Sequence, residues 1–335
     1  MEPGTVRIAV DLLGGDDAPA VVVDGALRAL SADPDLHLLL VGPPEVADGL
    51  LRVLEPDVRD RVAVRPVGAR PSVPAGVRNG SAHGAVGSHR SAGLSVRGAV
   101  DAVLAGDADA VVSAGSTAAT VTAAALGFGR WPQVRRPALV ATMPAVAGPV
   151  VLLDVGGSVE AQPATLARHA ALGAAYAAAA HGLARPRVGL LSIGTEPGKG
   201  DRARRAADPV LADATLPCGG RYVGLVEGYD VSLGDRADVV VTDGFTGNVL
   251  LKGIEGAYAM AGGPTAGSGG PPRAAALLGV AGTVVVCHGA AADYDLASGI
   301  ALAAHLHRRD AISTISALLA APSRNDQPTD TEVRA

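Results

Sequence analysis

The sequence is poor in aromatic residues, lysine and cysteine. Phe, Trp and Tyr together make up 2% of its 335 residues, while hydrophobic residues of all kinds reach 48%, so aliphatic side chains must fill the core. Two cysteines, Cys218 and Cys287, exclude a disulfide framework and favour a reducing compartment. A formal net charge of −5 gives no basic surface of the kind that nucleic-acid-binding proteins carry.

Long apolar runs are also missing. Pro, Gly or a charged residue interrupts each apolar stretch before it reaches the length of a membrane span. The first residues lead directly into a short apolar segment, without the charged and apolar regions of a signal peptide. We therefore expect a cytoplasmic protein, with peripheral attachment to a membrane as the alternative.

Several signatures of enzyme chemistry do not occur. No Gly-x-Gly-x-x-Gly follows a strand, so a dinucleotide site is not predicted. The segment Gly194–Lys199 is one residue short of a nucleotide-binding P-loop, and Gly200 stands where a Ser or Thr would bind magnesium. No nucleophile elbow, catalytic cysteine signature or His-Glu-x-x-His is present. We predict neither a covalent nucleophile nor a metal site.

What the sequence does contain is a regular alternation of short apolar runs and helical segments. Such continuous apolar strands specify a mostly parallel sheet that is covered on both faces. This predicts an α/β fold, doubly wound, in a three-layer αβα sandwich. One helix is expected from Pro163 to His181, and residues 68–93 are expected to form a long loop. We place a single catalytic domain at residues 6–321, interrupted by a flexible Gly/Pro linker at 262–272, and a disordered tail at 322–335.

Ligands in such folds bind outside the carboxyl ends of the strands. One of these turns lies within residues 238–252, where we expect a helix to begin at Asn248, preceded by Gly247. The free amide groups at a helix start favour an anion. The chain has only two lysines and three asparagines, yet Asn248 and Lys252 occur here one helical turn apart. The alternative interpretation is an ordinary strand–turn–helix with an Asn cap.

Lys199 lies between Gly198 and Gly200 in another loop at a strand end. A flexible ammonium group suits the binding of a phosphate or the neutralisation of a charge that develops during a reaction. Glycine on both sides would let the loop approach a ligand closely. The alternative interpretation is a solvated charged loop.

Ten short motifs follow one another along the chain. They are Asp11-x-x-Gly-Gly-Asp-x-x-Pro19, Ser113-Ala-Gly-Ser-Thr117, Arg136-Pro-Ala138, Leu153-Asp-Val-Gly156, Gly189-Leu-Leu-Ser-Ile-Gly194, Lys199-Gly200, Val226-Glu-Gly228, Asp243-Gly-Phe-Thr-Gly-Asn-Val249, Leu277-Leu-Gly-Val280 and Cys287-His-Gly289. In order and spacing they resemble the bacterial phosphate acyltransferases of phospholipid synthesis, the PlsX family. The resemblance covers residues 6–318.

The resemblance implies a reaction of fatty acid and phospholipid synthesis. Inorganic phosphate attacks the thioester of an acyl–acyl carrier protein, giving acyl-phosphate and the free carrier. The resemblance also implies a fold like the isocitrate and isopropylmalate dehydrogenases and the phosphotransacetylases, a homodimer, and neither a metal nor an organic cofactor. The expected partners are the carrier protein, phosphate and the acyl chain.

On the hypothesis that the chain is such an acyltransferase, we assign roles to individual residues. Lys199 is predicted to stabilise charge at the attacking phosphate or the oxyanion, and Asn248 to donate or accept hydrogen bonds in the same site. The residues predicted to bind phosphate or substrate, or to orient those loops, are Asp11, Gly14, Gly15, Asp16, Gly115, Ser116, Thr117, Asp243, Gly244, Thr246 and Gly247. A basic patch of Arg202, Arg204 and Arg205 is predicted to contact the acidic carrier protein.

The chain departs from the family pattern at three places. Ser116 and Ala118 stand where the family has Asn and Gly, and Ala92-Gly93 stand where it has a Ser-Ser pair. The Gly/Pro linker replaces a helical hairpin associated with dimer packing and membrane contact, so an expectation of membrane contact does not carry over. Two alternatives therefore remain: a phosphotransacetylase-like enzyme that uses acyl-coenzyme A, and a non-catalytic paralogue that binds acyl carrier protein.

Overall fold

The structure, a computed structural model, describes residues 4–51, 54–67, 84–132, 134–160, 162–261 and 274–320. It divides into two compact units, one of residues 1–141 and 270–312 and the other of residues 142–269 and 313–335. The predicted linker at 262–272 and tail at 322–335 lie outside the described residues. The single catalytic domain stays a prediction.

Strands and helices alternate along most of the chain. The strands are β1 (Val6–Asp11), β2 (Leu36–Gly42), β3 (Val62–Pro66), β4 (Ala110–Ser113), β5 (Ala138–Met143), β6 (Val150–Leu153), β7 (Arg187–Leu191), β8 (Arg221–Val226), β9 (Val239–Val241), β10 (Ala274–Leu278) and β11 (Thr283–Cys287). The helices are α1 (Ala20–Ala32), α2 (Pro44–Leu51), α3 (Pro56–Arg59), α4 (Gly84–Leu104), α5 (Thr117–Gly127), α6 (Pro163–His181), α7 (Arg202–Ala212), α8 (Gly228–Leu233), α9 (Gly244–Met260), α10 (Asp293–Arg308) and α11 (Ala311–Ala320). Strands β5 and β6, and likewise β10 and β11, follow each other without a helix between them.

In the first unit the strands lie in the order β3-β2-β1-β4-β11-β10-β5. All neighbouring pairs from β3 to β11 are parallel, whereas β10 runs antiparallel to both β11 and β5. Every residue of β4 and β11 is buried, because helices cover the strands. The predicted mostly parallel α/β arrangement is confirmed.

In the second unit the order is β6-β9-β7-β8, and all three pairings are parallel. The long alanine-rich helix α6 packs on β9 with ten buried residues. Gly173 makes that contact close, since a Cβ there would lie 2.5 Å from Cγ1 of Val239. A small residue at this point therefore lets a helix of mostly alanine cover a strand of three valines.

The strand order decides which loops meet at the carboxyl ends of each unit's strands. In the first unit β1 and β4 are neighbours, so Asp11 and Ser113 end adjacent strands. In the second unit β9 lies between β6 and β7, so the turns that follow these three strands are neighbours. The polar residues singled out in the sequence fall in these turns.

Two helices begin earlier than the sequence predicts. Helix α4 begins at Gly84, so the small and polar residues that suggested a loop up to residue 93 occupy its first turns. Helix α9 begins at Gly244 and not at Asn248. The reason is that Asp243, not Asn248, caps it, with its carboxylate accepting from the Thr246 amide at 2.8 Å.

Candidate functional site

Asp243 organises the turn between β9 and α9. Its Oδ1 accepts from the backbone N–H of Thr246, and its Oδ2 accepts from Thr246 Oγ1 at 2.8 Å and from Arg204 Nη2 at 2.7 Å. Burial acts to raise the pKa of Asp243, but the hydrogen bonds from Thr246 and Arg204 outweigh it and lower the pKa. Asp243 is therefore a buried carboxylate that orients the first turn of α9.

Two glycines of α9 are required by close packing. A Cβ on Gly244 would lie 2.1 Å from the carbonyl oxygen of Ser158, and one on Gly247 would lie 1.9 Å from the carbonyl oxygen of Asp154. Any side chain at either position would displace the helix from the turn that follows β6. The close approach that the sequence suggested at Gly247 is thus an approach between two backbone segments.

Asn248 lies in the second turn of α9, facing that same turn. Its Nδ2 donates to the carbonyl oxygen of Val155 at 3.0 Å, and the residue is half-buried. An amide nitrogen carries two hydrogens, and no hydrogen bond from a described residue engages the second N–H or Oδ1. The structure therefore holds the Asn248 amide at the carboxyl end of β6 with hydrogen-bonding capacity to spare.

The turn after β6 contains a fully buried carboxylate that the sequence analysis did not assign. Asp154 Oδ1 accepts from the backbone N–H groups of Gly156 and Gly157 at 3.0 and 2.7 Å, and Oδ2 accepts from Ser158 Oγ at 2.8 Å. The motif Leu153-Asp-Val-Gly156 contains this residue, so the sequence did carry a signal that points to it. Asp154 fixes the turn against which Asn248 is held.

A buried histidine lies behind these turns. The Nδ1 atom of His169, on α6, is 3.4 Å from the carbonyl oxygen of Thr242, and no described residue makes a hydrogen bond with its Nε2. Burial lowers the pKa of His169, against the opposing charges of Asp154 and Asp243. A neutral imidazole is therefore expected at pH 7.

Lys199 lies in the loop between β7 and α7. Its backbone N–H donates to Glu196 O at 3.1 Å, and its stem lies over Gly194, where a Cβ would be 3.2 Å from Lys199 Cγ. Gly198 and Gly200 have φ of +84° and +93°, a region that favours glycine. Among the described residues, no hydrogen bond or ion pair holds the exposed Lys199 ammonium group, which is thus available to an anion.

The structure corrects the prediction that Arg204 belongs to a surface patch. Arg204 is only 7% exposed, and its guanidinium donates to Leu191 O at 2.6 Å, to Thr242 Oγ1 at 2.9 Å and to the carboxylates of Asp201 and Asp243. A planar group with five N–H donors can join several acceptors at once. Arg204 therefore ties together the loops after β7 and β9.

The other two arginines of the predicted patch are exposed. Arg202 and Arg205 lie on the outer side of α7, and Arg205 Nη1 donates to the carbonyl oxygen of Gly200 at 3.0 Å. Arg205 thus braces the loop that carries Lys199. The patch is reduced to these two residues.

A cavity of about 600 Å³ opens beside these loops in the second unit. Its lining residues are Leu191, Ser192, Ile193, Gly200, Asp201, Arg204, Gly228, Thr246, Val249 and Leu250. The loop after β7 and the first turns of α9 therefore line one pocket, and Gly200 of this lining is next to Lys199 in sequence. Its volume lies in the range of small-molecule sites, roughly 300–1,000 Å³.

A second polar cluster forms at the carboxyl ends of β1 and β4 in the first unit. The buried Asp11 accepts hydrogen bonds from the hydroxyl groups of Ser95 and Ser113, the latter at 2.7 Å, and from the Leu13 amide. Burial raises the pKa of Asp11, although these hydrogen bonds oppose the shift. Ser113 Oγ in turn accepts from the Gly115 amide at 3.0 Å. Asp11 thus joins the two loops.

The predicted glycines of this unit lie in contact with that cluster. A Cβ on Gly14 would be 2.7 Å from the Gly115 amide nitrogen, and Gly15 has a φ of +121°. The Asp16 amide donates to Gly289 O at 2.8 Å. The structure thus brings Asp11, Gly14, Gly15, Asp16 and Gly115 together in the first unit, and their role in binding phosphate or substrate stays a prediction.

Ser116 and Thr117 stand at the start of α5. Ser116 occupies the N-cap position, is exposed, and makes no side-chain capping hydrogen bond, while Thr117 is the first helical residue. A helix of eleven residues that begins without a side-chain cap leaves amide groups open at its N-terminus. This end of α5 is where the sequence placed part of a phosphate-binding turn.

The chain is similar over most of its length to a known protein family and to two of its relatives. A family described as fatty acid synthesis protein matches residues 6–263. The phosphate acyltransferase of Thermobifida fusca is 41% identical over 326 residues, which cover 89% of this chain and 87% of the relative. The phosphate acyltransferase of Phenylobacterium zucineum is 38% identical over 328 residues, covering 89% of each chain. The chain belongs to the phosphate acyltransferase family.

Solved structures share the fold of this phosphate acyltransferase family member. The EutD phosphotransacetylase from Staphylococcus aureus matches with a TM-score of 0.60 at 17% identity, over 91% of this chain and 95% of that one. A 4-hydroxythreonine-4-phosphate dehydrogenase from Klebsiella pneumoniae matches with a TM-score of 0.59 at 14% identity, over 92% and 99%. At these identities the likeness shows the fold alone, and the predicted α/β fold of phosphotransacetylases and dehydrogenases is confirmed.

No group of three or more His, Cys, Asp or Glu side chains in the described ranges is arranged to hold a metal ion. None of the helices in the same ranges is both long and apolar enough to cross a membrane.

Proposed function

We propose that this family member transfers the acyl group of an acyl–acyl carrier protein to inorganic phosphate, giving acyl-phosphate and the free carrier. The observation that carries the proposal is the contrast between the two lysines. Lys252 pairs with Glu255 at 3.0 Å, whereas the Lys199 ammonium has no partner among the described residues. An exposed lysine that has no partner, in a strand-end loop with a glycine on each side of it, is suited to bind an anionic reactant.

The chemistry requires positioning and charge stabilisation. A phosphate oxygen attacks the thioester carbon, and the carbonyl electrons move onto oxygen to form a tetrahedral intermediate. When the carbonyl re-forms, the C–S bond breaks and the thiolate leaves with the carrier. Lys199 neutralises charge on the phosphate or the oxyanion, and the second N–H of Asn248 donates in the same site.

The cysteines support direct attack by phosphate over an acyl-enzyme. Burial raises the pKa of Cys287 to about 12, and burial also raises the pKa of Cys218. Thiols of this kind are poor nucleophiles at neutral pH, since the thiolate is the reactive form. Two free cysteines also fit a cytoplasmic location, where thiols stay reduced.

The carrier protein is proposed to dock near Arg202 and Arg205. Carrier proteins are acidic, and these two exposed guanidinium groups flank the Lys199 loop.

The apolar end of α9 is the basis on which we propose a homodimer. The buried residues of α9 end at Leu251, but apolar residues continue to Met260, which is 91% exposed. A second copy would cover this apolar end.

The first unit contributes separate candidates for anion binding. Gly14, Gly15, Asp16 and Gly115 line the loops around Asp11, and Ser116 and Thr117 begin α5. We propose them as phosphate- or substrate-binding residues on the support of backbone amides at these turns. Substitutions made in one unit at a time would test each cluster independently.

The test is formation of acyl-phosphate by the purified chain. Acyl–carrier protein and acyl-coenzyme A are offered side by side with phosphate, and acyl-phosphate is trapped as its hydroxamate. A higher kcat/KM with the carrier thioester supports the proposal. A preference for acyl-coenzyme A would favour the phosphotransacetylase-like alternative, and carrier binding without turnover would favour the non-catalytic one.

A further inference from the structure

The cavity of the second unit has apolar walls. Leu191 and Ile193 come from the end of β7 and the residues after it, and Val249 and Leu250 come from α9. Ile193 is 83% exposed and Val249 is 58% exposed, so within the described part of the chain these apolar side chains remain uncovered at the pocket. Apolar surface of this kind is favoured as a binding site for an apolar ligand.

The polar side chains of the same lining are already engaged, with one exception. Arg204 and Asp201 bind each other, and Thr246 Oγ1 donates to Asp243. Ser192 is only 8% exposed, and its Oγ has no hydrogen-bond partner among the residues that the structure describes. A buried hydroxyl without a partner is uncommon, because the lost hydration is not replaced.

The position of Ser192 connects the cavity to the Lys199 loop. A Cβ on Gly200 would lie 2.9 Å from Ser192 Oγ, so the residue directly after Lys199 passes over this hydroxyl. The cavity therefore combines apolar walls, a hydroxyl in need of a partner, and a loop that carries an unpaired ammonium group. An acyl thioester presents the matching chemistry: a hydrocarbon chain that ends in a carbonyl.

We propose that this cavity binds the acyl chain of the substrate, and that Ser192 Oγ donates a hydrogen bond to the acyl carbonyl oxygen. The inference rests on the proposed function. It adds the pocket that binds the acyl chain and the hydroxyl group that contacts the carbonyl end of that chain. In the reaction, the hydrogen bond strengthens as negative charge develops on that oxygen. Ser192 is then a catalytic residue, and Val249 and Leu250 set which chain lengths fit.

The first test fills the cavity from its exposed side. Val249→Trp is expected to lower kcat/KM for the hexadecanoyl thioester about tenfold or more, while that for the butanoyl thioester stays within about twofold, since a pocket contact discriminates by chain size. Val210→Trp is the matched control, because Val210 is 52% exposed on α7 and does not line the cavity. The control is expected to leave both substrates unchanged. Equal losses for all chain lengths would overturn the proposal.

The second test removes the hydroxyl. Ser192→Ala breaks no hydrogen bond within the described residues, so its melting temperature is expected to equal or exceed that of the original chain. Turnover is expected to fall at least about tenfold for every chain length, because the hydroxyl meets the carbonyl and not the chain. Unchanged turnover would remove Ser192 from the proposal.

A binding measurement separates this inference from the proposed function. Dodecylphosphonate carries an alkyl chain and an anion but no reactive carbonyl, and its affinity is measured by calorimetry. Weaker binding to Val249→Trp than to Val210→Trp supports the pocket even if no thioester is turned over. If acyl-phosphate forms but the two variants bind the probe equally, the proposed function stands and the pocket assignment falls.

Discussion

Arg204 offers the most quantitative prediction of the account. Its side chain is 9% exposed and pairs with Asp243, which is 12% exposed, at 2.7 Å. Arg204→Met keeps the length of the stem but leaves the Asp243 carboxylate without its cation and the Leu191 carbonyl without its donor. Breaking a buried ion pair from one side costs about 3–5 kcal/mol. We expect the free energy of unfolding of Arg204→Met to fall by about that amount.

The assay is urea unfolding of the single variant, a double variant and a control. Adding Asp243→Asn to Arg204→Met removes the stranded charge, and the asparagine Oδ1 can still cap Thr246, so the double variant is expected to be more stable than the single one. Arg205→Met is the matched control, since Arg205 is exposed and its change is expected within about 0.5 kcal/mol. A loss for Arg204→Met no larger than for Arg205→Met would refute the reasoning.

The pH dependence of the Arg204 effect has a definite sign. Burial acts to raise the pKa of Asp243, but hydrogen bonds from Thr246 and Arg204 lower this pKa below its ordinary value of 3.8. A carboxyl with a lowered folded-state pKa contributes stability that is present above the unfolded pKa and is lost as the pH falls through the folded one. The difference in unfolding free energy between the original chain and Arg204→Met is therefore expected to shrink below pH 3.8.

Two further predictions concern packing in the second unit. Gly247→Ala should lower the melting temperature, because the added Cβ would lie 1.9 Å from Asp154 O. Gly253→Ala should raise the melting temperature slightly, since no atom lies within 4 Å of its added Cβ. Equal shifts of the two variants in thermal scans would contradict this. Burial lowers the pKa of His169 from 6.5, so its protonation in the unfolded chain destabilises the fold as the pH falls below that value. His169→Leu should flatten the dependence of unfolding free energy on pH between about 6.5 and 5, and an unchanged slope would argue against a neutral buried ring.

The fold could be predicted where strands are rich in valine and helices have clear ends. The runs at β6 and β9 are entirely apolar, β4 is apolar up to its last residue, Ser113, and Pro163 to His181 forms α6 as predicted. Strand β10 reads Ala-Ala-Ala-Leu-Leu, which suits a helix as well as a strand, and its antiparallel pairing depends on partners distant in sequence. Tertiary pairing, not local preference, makes it a strand.

The site was predictable to the level of turns but not of side-chain partners. Arg202, Arg204 and Arg205 look alike in sequence, and only the helix phase of α7 turns Arg204 inward to Thr242 and Asp243. Asp243 and Asn248 are both good helix caps, and the choice of Asp243 follows from its contact with Arg204. Contacts between residues so far apart in sequence cannot be predicted from local sequence patterns.

The kinetics of Lys199→Ala test the central claim most directly. If the unpaired ammonium stabilises charge in the transition state, kcat for acyl-phosphate formation from acyl–carrier protein should fall about 10²–10³-fold, with a smaller change in KM. Lys199→Arg should restore little, because a planar guanidinium places its donors differently. Lys252→Ala, which removes the ion-paired lysine, should retain its turnover. Lys199→Ala with the kcat of the original chain would contradict the account.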